Sequence, residues 1–273
     1  MRSTHLVIAI TLSAGLLSAC DDNDLSNPDH VRTWATNGSA LAVYSHVHEP
    51  FAYALGESTF SDPMCPVRTD DGEVATITGG CVTEDGQRFS GTATITRGEG
   101  DVHALVLDRY GSYDDPDFRT LTSGTASVTP RDGTLYDFEV DITTDALTST
   151  RITYTGTVDG DYTGPSLWNG SGRVTRDGFG EPLGTVRVTT VDELRDTDVC
   201  SNQPLSGQTT IEAEGDRVVV TYDGATDCDQ DKAATWTFNG RDRGRITGID
   251  CAVGTVGGRT AGAPALLLAM GTL

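Results

Sequence analysis

Turn signals recur along this chain from about residue 67 onward, at intervals that leave no room for long helices between strands. They are rich in Gly, Asp and Asn: "DDGE", "EDGQ", "RDGT", "VDGD", "RDGF", "EGDR", "YDGA" and "NGRD". Between them, β-branched and aromatic residues alternate with polar ones, as in Phe138-x-Val140-x-Ile142. Such alternation is typical of strands with one buried face. Because parallel strands need crossovers of about a dozen residues or more, the pattern predicts an antiparallel meander of about twelve strands.

A different pattern precedes the strands, between residues 31 and 60. Apolar residues there stand three, four or seven positions apart: Val31, Trp34, Leu41, Tyr44, His48, Phe51 and Leu55. This spacing predicts one helix or two joined near Pro50, and Gly38 and Pro50 disfavour a single unbroken helix. A helix lying on a membrane would carry Lys or Arg on its polar face, and this segment has almost none. The sequence therefore predicts a mainly β fold, an open or half barrel with the helical segment packed on it.

A short apolar leader begins the chain. Its apolar run from Leu6 to Leu17 rises about 18 Å as a helix at roughly 1.5 Å per residue, against a hydrocarbon core of about 30 Å. Arg2 stands ahead of this run. We therefore interpret residues 1–19 as a signal peptide and not as a permanent membrane span.

The leader ends in Leu17-Ser18-Ala19-Cys20, which resembles the lipobox of bacterial lipoproteins. The resemblance implies that Cys20 is thioether-linked to diacylglycerol, that the leader is cut before it, and that the new amino terminus is acylated. Two or three acyl chains anchor a protein stably where one is marginal. An ordinary signal peptide with an incidental Cys is the alternative. The expected location is the bacterial cell envelope, at the inner or outer membrane, and Asp21 resembles the inner-membrane retention signal of some bacteria.

The composition of the chain after the leader indicates its division into segments, and its net charge limits the classes of partner that it can bind. Residues 20–30 are acidic and polar, which predicts a solvated tether, followed by the helical segment over residues 31–60 and a β domain over residues 61–273. The chain has 19 Lys and Arg against 40 Asp and Glu, a formal net charge of −21. Such a balance argues against binding nucleic acid or adsorbing to anionic lipid head groups. We therefore expect contact with the membrane through the lipid anchor.

Cysteine usage fits an oxidising compartment. Cys65 and Cys81 flank a predicted hairpin through "TDDG", and we expect them to form a disulfide. Closing a loop of that length contributes about 3 kcal/mol in the chain-entropy model. With Cys20 assigned to lipid, one pair can form among the remaining three cysteines, which leaves an odd thiol: Cys200, Cys228 and Cys251.

The candidate catalytic residues form no recognisable motif. Ser171 in "NGSG" lacks the strand-turn-helix context of a nucleophile elbow. His46 and His48 in "SHVHEP" would share one side of a strand but not of a helix, so a helical segment disfavours a metal site there with Glu49. A hydrolase would require His46, His48 or His103 to meet a Ser or carboxylates in a cleft. We predict no catalytic site.

Asp227, Asp229 and Asp231 stand at alternate positions in "DCDQDK", as at the start of a calcium loop. An EF-hand-like loop then needs Gly at its sixth position and Glu at its twelfth. Lys232 and Phe238 stand there instead. The pattern therefore favours a polar loop between strands over a calcium site, and no cofactor is expected.

Two cysteine-bearing stretches are similar to segments of uncharacterised bacterial lipoproteins: "CPVRTDDGEVATITGGC" and "CSNQPLSG…YDGATDC…FNG…GIDC". That resemblance implies no activity. The sequence therefore favours a lipid-anchored envelope protein whose β domain serves binding or structural interaction without catalysis. One alternative is a carrier of lipid or other apolar ligand, which an apolar cavity inside the half barrel would favour and a filled interior would not. An envelope hydrolase is the other.

Overall fold

The chain folds mainly into β-structure, as predicted, with helices in its N-terminal part. The computed structural model describes residues 24–54, 62–100, 102–114, 119–146, 148–160, 165–178, 181–196, 199–200, 203–222, 234–249, 255–256 and 259–260. These residues form three helices followed by sixteen strands. Fourteen of the strands belong to one open antiparallel sheet. This arrangement confirms the predicted fold class, with more strands than expected.

The elements are numbered in chain order. The helices are α1 (Pro28–Gly38), α2 (Ala40–Ser45) and α3 (His48–Ala54). The strands are β1 (Val67–Asp70), β2 (Val74–Thr78), β3 (Cys81–Val82), β4 (Arg88–Arg97), β5 (His103–Tyr113), β6 (Leu121–Asp132), β7 (Leu135–Asp145), β8 (Thr148–Gly160), β9 (Ser166–Gly178), β10 (Glu181–Arg195), β11 (Ser206–Ala213), β12 (Asp216–Tyr222), β13 (Ala234–Phe238), β14 (Arg241–Ile246), β15 (Thr255–Val256) and β16 (Arg259–Thr260).

Capping residues set the starts of α1 and α2. The side-chain oxygen of Asn27 accepts a hydrogen bond from the amide of Asp29 at 2.9 Å, and Pro28 occupies the first turn, where its missing amide hydrogen costs nothing. Ser39 separates the two helices, and its hydroxyl accepts a hydrogen bond from the amide of Ala42 at 3.1 Å. Local sequence therefore fixes where each helix begins.

The helical segment is divided into three helices, whereas the sequence predicted one or two. Helix α1 ends at Gly38, one of the two residues that were expected to disfavour an unbroken helix. Pro50 lies in the first turn of α3 and not at a junction between helices, because proline is tolerated where the amide has no intrahelical acceptor. The second break falls instead before His48.

The sheet follows the chain as a meander. Its strand order is β1-β2-β4-β5-β6-β7-β8-β9-β10-β11-β12-β13-β14, and β3 pairs with β4 beside this path. Ile152 of β8 lies opposite Val174 of β9, which lies opposite Val186 of β10. All three side chains are buried. Because side chains alternate in direction along a strand, the residues between them point to the other face.

The helices cover the face of the sheet that the buried residues line, which we call the inner face. Helix α1 packs on β9 and β11, α2 on β9 and β10, and α3 on β4 and β5. The sheet therefore forms an open half barrel around the helical segment. Trp34 of α1 and Phe51 of α3 are buried beneath it, and burial of an apolar side chain contributes about 1.5–3 kcal/mol.

Two tight turns explain part of the hairpin signal in the sequence. Glu214 and Gly215 have φ angles of 51° and 94°, and Asn239 and Gly240 have φ angles of 48° and 75°. Two successive residues in the left-handed region are the signature of a type I′ turn, whose twist matches that of antiparallel strands. The stretches "EGDR" and "NGRD" therefore join β11 to β12 and β13 to β14, as predicted.

Candidate functional site

Several residues that were predicted to carry sites lie outside the described residues. These are Cys20, the expected point of lipid attachment, and the candidate calcium ligands Asp227, Asp229 and Asp231. Among the residues that are described, no group of three or more His, Cys, Asp or Glu side chains is placed to hold a metal ion. No helix in this part of the chain has the length and apolar character needed to cross a membrane.

The first predicted disulfide is confirmed. Cys65 and Cys81 are bonded, with their Cα atoms 5.8 Å apart, and the hairpin of β1 and β2 lies between them. Cys200 is also disulfide-bonded. Its two candidate partners, Cys228 and Cys251, lie outside the described residues, so the second pairing stays a prediction.

His46 and His48 have different partners. His46 follows α2, and its Nδ1 lies 3.4 Å from the hydroxyl oxygen of Thr144 on β7. His48 begins α3, and its ring centroid lies 4.8 Å from that of Tyr44. Burial lowers the pKa of both histidines to about 4, and for His48 the positive charge of Arg195 adds to this effect. Both rings are therefore neutral at pH 7.

The other candidate catalytic residues, Glu49, His103 and Ser171, lie on three different elements. Glu49 accepts a hydrogen bond from the hydroxyl of Tyr110 at 3.1 Å, and burial raises the pKa of Glu49 to about 7 against the opposing effect of that bond. His103 begins β5, opposite Arg97 of β4. Ser171 is exposed on β9, on the face of the sheet opposite to the helices. The structure therefore places Ser171 on the opposite face of the sheet from His46, His48 and Glu49.

A buried carboxyl group fixes α2 to the sheet. Glu193 of β10 is 1% exposed. Its Oε2 accepts a hydrogen bond from the amide of Ala40 at 2.7 Å, and its Oε1 accepts one from the hydroxyl of Thr209 on β11. Burial raises the pKa of Glu193 to about 8, although both hydrogen bonds oppose the shift. This contact joins the start of α2 to two neighbouring strands.

A buried arginine makes a second contact between β10 and α2. The guanidinium carbon of Arg195 lies 4.2 Å from the centroid of the Tyr44 ring, within the range of a cation–π interaction. Its Nε donates a hydrogen bond to the hydroxyl of Ser166 at 3.2 Å, and the indole of Trp168 donates to the same hydroxyl at 2.9 Å. Glu193 and Arg195 of β10 therefore both contact α2.

Aromatic rings fill the described space between the helices and the sheet. The largest fully buried side chains include Trp34, Phe51, Phe138, Tyr154 and Trp168. The rings of Phe138 and Trp168 meet edge to face with centroids 5.1 Å apart, a favourable geometry for aromatic pairs. The described side chains of the inner face therefore pack into one core with those of the helices.

The opposite, outer face carries an open depression of about 560 Å³ across β8, β9 and β10. One arginine from each strand lines it: Arg151, Arg173 and Arg187. Hydroxyl side chains stand between the arginines: Thr153, Thr155, Ser171 and Thr175. We call this surface the outer depression. These arginine and hydroxyl side chains point outward because they alternate with the buried residues of the inner face.

Two arginines of the outer depression lie directly opposite each other. Arg173 of β9 is in register with Arg187 of β10, and we call this pair the facing arginines. Like charges at opposite positions of an antiparallel pair are destabilising. The arrangement is unusual in a chain with a formal net charge of −21.

Neighbouring acids do not neutralise the facing arginines. Asp141 pairs with Arg151, with its Oδ2 3.0 Å from an arginine nitrogen. Glu212 lies opposite Arg187 in the sheet, but its carboxylate pairs with Arg217 at 3.5 Å. Among the described residues, the side chains of the facing arginines therefore form no ion pair or hydrogen bond.

Sequence reasoning did not identify the outer depression. The three arginines stand in strand-like runs, "STRIT", "GSGRVTR" and "GTVRVTT". Alternation within each run indicates that the arginine shares a face with Thr or Ser. It does not show which residues of different runs are neighbours, because that depends on the register between strands. An alignment of the three runs as neighbouring antiparallel strands would have brought the arginines together.

The chemistry of the outer depression is that of a binding surface for anions. Guanidinium groups donate paired hydrogen bonds to carboxylates or phosphates, and hydroxyl groups both donate and accept.

Comparison of the chain with protein-family models, with curated proteins and with solved structures found no match.

Proposed function

We propose that the chain is a lipid-anchored protein of the bacterial cell envelope whose β domain binds another envelope component without catalysis. The observation that carries this proposal is the difference between the two faces of the sheet. The inner face is packed against the protein's own helices, whereas the outer face exposes the outer depression. The lipobox-like stretch that ends at Cys20 and the acidic tether after it supply an anchor and a spacer.

The two alternatives fit the structure less well. A carrier of apolar ligands needs space between the helices and the sheet, and in the described residues Trp34, Phe51 and Trp168 occupy that space. A hydrolase needs a base beside a nucleophile. His46 and His48 lie on the helical side of the sheet, while Ser171 lies on the outer face.

Acylation of Cys20 tests the anchor directly. Cells that express the chain are grown with a labelled fatty acid, and the purified protein is analysed by mass spectrometry. We expect the mature amino-terminal peptide to begin at Cys20 and to carry acyl chains. Cys20→Ala should abolish the label, whereas Ser13→Ala, a change in the leader outside the lipobox, should retain it. An unlabelled wild-type protein, or a labelled Cys20→Ala variant, would contradict the proposal.

A further inference from the structure

The facing arginines weaken the sheet at a position where it could be stabilised. Arg173 and Arg187 repel each other, since no acid among the described residues pairs with either. Two positions away on the same strands, Thr175 and Thr185 lie opposite each other with their hydroxyl oxygens 3.0 Å apart, and such a pair is favourable in a sheet. Features that cost stability are common where a protein binds a ligand.

The shape of the outer depression favours an extended ligand. Sites for small molecules are concave and bury most of the ligand, whereas this depression is open and crosses three strands. Neighbouring strands lie about 4.8 Å apart. Side chains from β8, β9 and β10 therefore offer repeated contacts to a polymer that lies across the strands.

The side chains of the outer depression match two kinds of group on the ligand. The facing arginines are free to bind carboxylates through paired hydrogen bonds. The hydroxyl groups of Thr153, Thr155 and Ser171 have no hydrogen-bond partner among the described residues, so they are free to bind other hydroxyl groups. A polysaccharide of acidic sugars presents both groups on each unit, whereas an acidic peptide presents carboxylates with few hydroxyls.

We propose that the outer depression binds a polysaccharide of acidic sugars. The facing arginines bind carboxylates, the free hydroxyls bind sugar hydroxyls, and Arg151, held by Asp141, forms the rim. The proposal rests on the proposed function, because an envelope protein held at a membrane meets such polymers. The formal net charge of −21 repels the polymer from the rest of the surface, which confines binding to the outer depression.

Binding of polygalacturonate to the mature protein tests this assignment. The lipidated protein in non-ionic detergent is passed over the immobilised polymer, and its dissociation constant is measured. Removing one arginine from the outer depression should weaken binding about tenfold, so R173Q/R187Q should weaken it about a hundredfold. The matched variant R241Q/R243Q removes the same charge from exposed arginines of β14 and should keep wild-type affinity. Circular dichroism checks that both variants are folded.

Two further polymers, dextran and polyphosphate, test whether binding requires charge and whether it requires carboxylates. Uncharged dextran should not bind. The assignment is overturned if polygalacturonate does not bind, if both double variants lose affinity equally, or if polyphosphate binds more tightly than polygalacturonate. If one of these results is obtained while Cys20 is acylated, the ligand assignment is wrong and the proposal of an anchored protein stands. Conversely, if the protein is not acylated but binds the polymer through the facing arginines, the anchor proposal is wrong and the ligand assignment stands.

Discussion

Replacing Glu193 with Gln should remove a pH-dependent part of the protein's stability. Glu193 is 1% exposed, and burial raises its pKa to about 8 from the ordinary value of 4.5. The folded state therefore holds this proton more tightly than the unfolded state does. The stability that results is complete below pH 4.5 and is lost as the pH rises through 8. Gln occupies a similar volume and does not titrate.

The range between pH 7 and 9 separates this effect from that of the buried histidines. The pKa of His46 and His48 is lowered to about 4 from 6.5, so their effect is a loss of stability as the pH falls below 6.5. One pH unit corresponds to about 1.4 kcal/mol for one proton. Over about the first unit of this range, Glu193 is protonated in the folded state and ionised in the unfolded state. Raising the pH from 7 to 9 should therefore lower the free energy of unfolding by about 1.4 kcal/mol through this group.

Urea unfolding followed by tryptophan fluorescence measures this difference. Wild-type protein should lose about 1.4 kcal/mol more than Glu193→Gln between pH 7 and 9. Glu49, whose pKa is raised to about 7, should give both proteins the same small decline near pH 7. Glu139→Gln, at an exposed position of β7, should keep the wild-type dependence. If Glu193→Gln also keeps it, the carboxyl group is not held protonated by burial and the reasoning is refuted.

Two further substitutions test the packing of β9 and β10 by the same unfolding measurement. Gly170→Ala should lower the free energy of unfolding by about 1–3 kcal/mol, because the added methyl group would overlap the Tyr154 hydroxyl that crosses β9 to reach Thr190. Unchanged stability would show that Tyr154 does not cross there. Arg187→Thr should raise it by roughly 0.2–1 kcal/mol through loss of the repulsion from Arg173. A decrease would mean that the two arginines do not repel each other.

The strands could be predicted from the sequence because their signal is local. Phe138, Val140 and Ile142 stand at alternate positions in the sequence, and all three are buried on the inner face of β7. The disulfide between Cys65 and Cys81 closes the hairpin that "TDDG" indicated. Side-chain alternation and turn chemistry act over a few residues, so one sequence is enough to reveal them.

Strand β10 shows why the burial of Glu193 could not be predicted from the sequence. Its register with β9 shifts between Thr190 and Glu193, and Asp192 has a φ angle of 50°. The amide of Asp192 donates a hydrogen bond to the side-chain oxygen of Asn169 at 2.9 Å, which supports this bulge. The extra residue allows Thr190 and Glu193, three positions apart, to be buried on the same face. Strict alternation would place Glu193 on the opposite face from Thr190, as an ordinary surface acid.

The register that creates the outer depression is set by the inner face. A slip of one residue between β9 and β10 would separate Arg173 from Arg187, but it would also turn one set of buried side chains outward. Val174 and Val186 lie opposite each other and are buried, and whichever of them turned outward would lose at least about 1.5 kcal/mol on exposure. Repulsion between the facing arginines is worth roughly 0.2–1 kcal/mol. Because burial of the valines stabilises this register by more than the repulsion destabilises it, the packed interior holds two like charges together on the surface where we propose that the ligand binds.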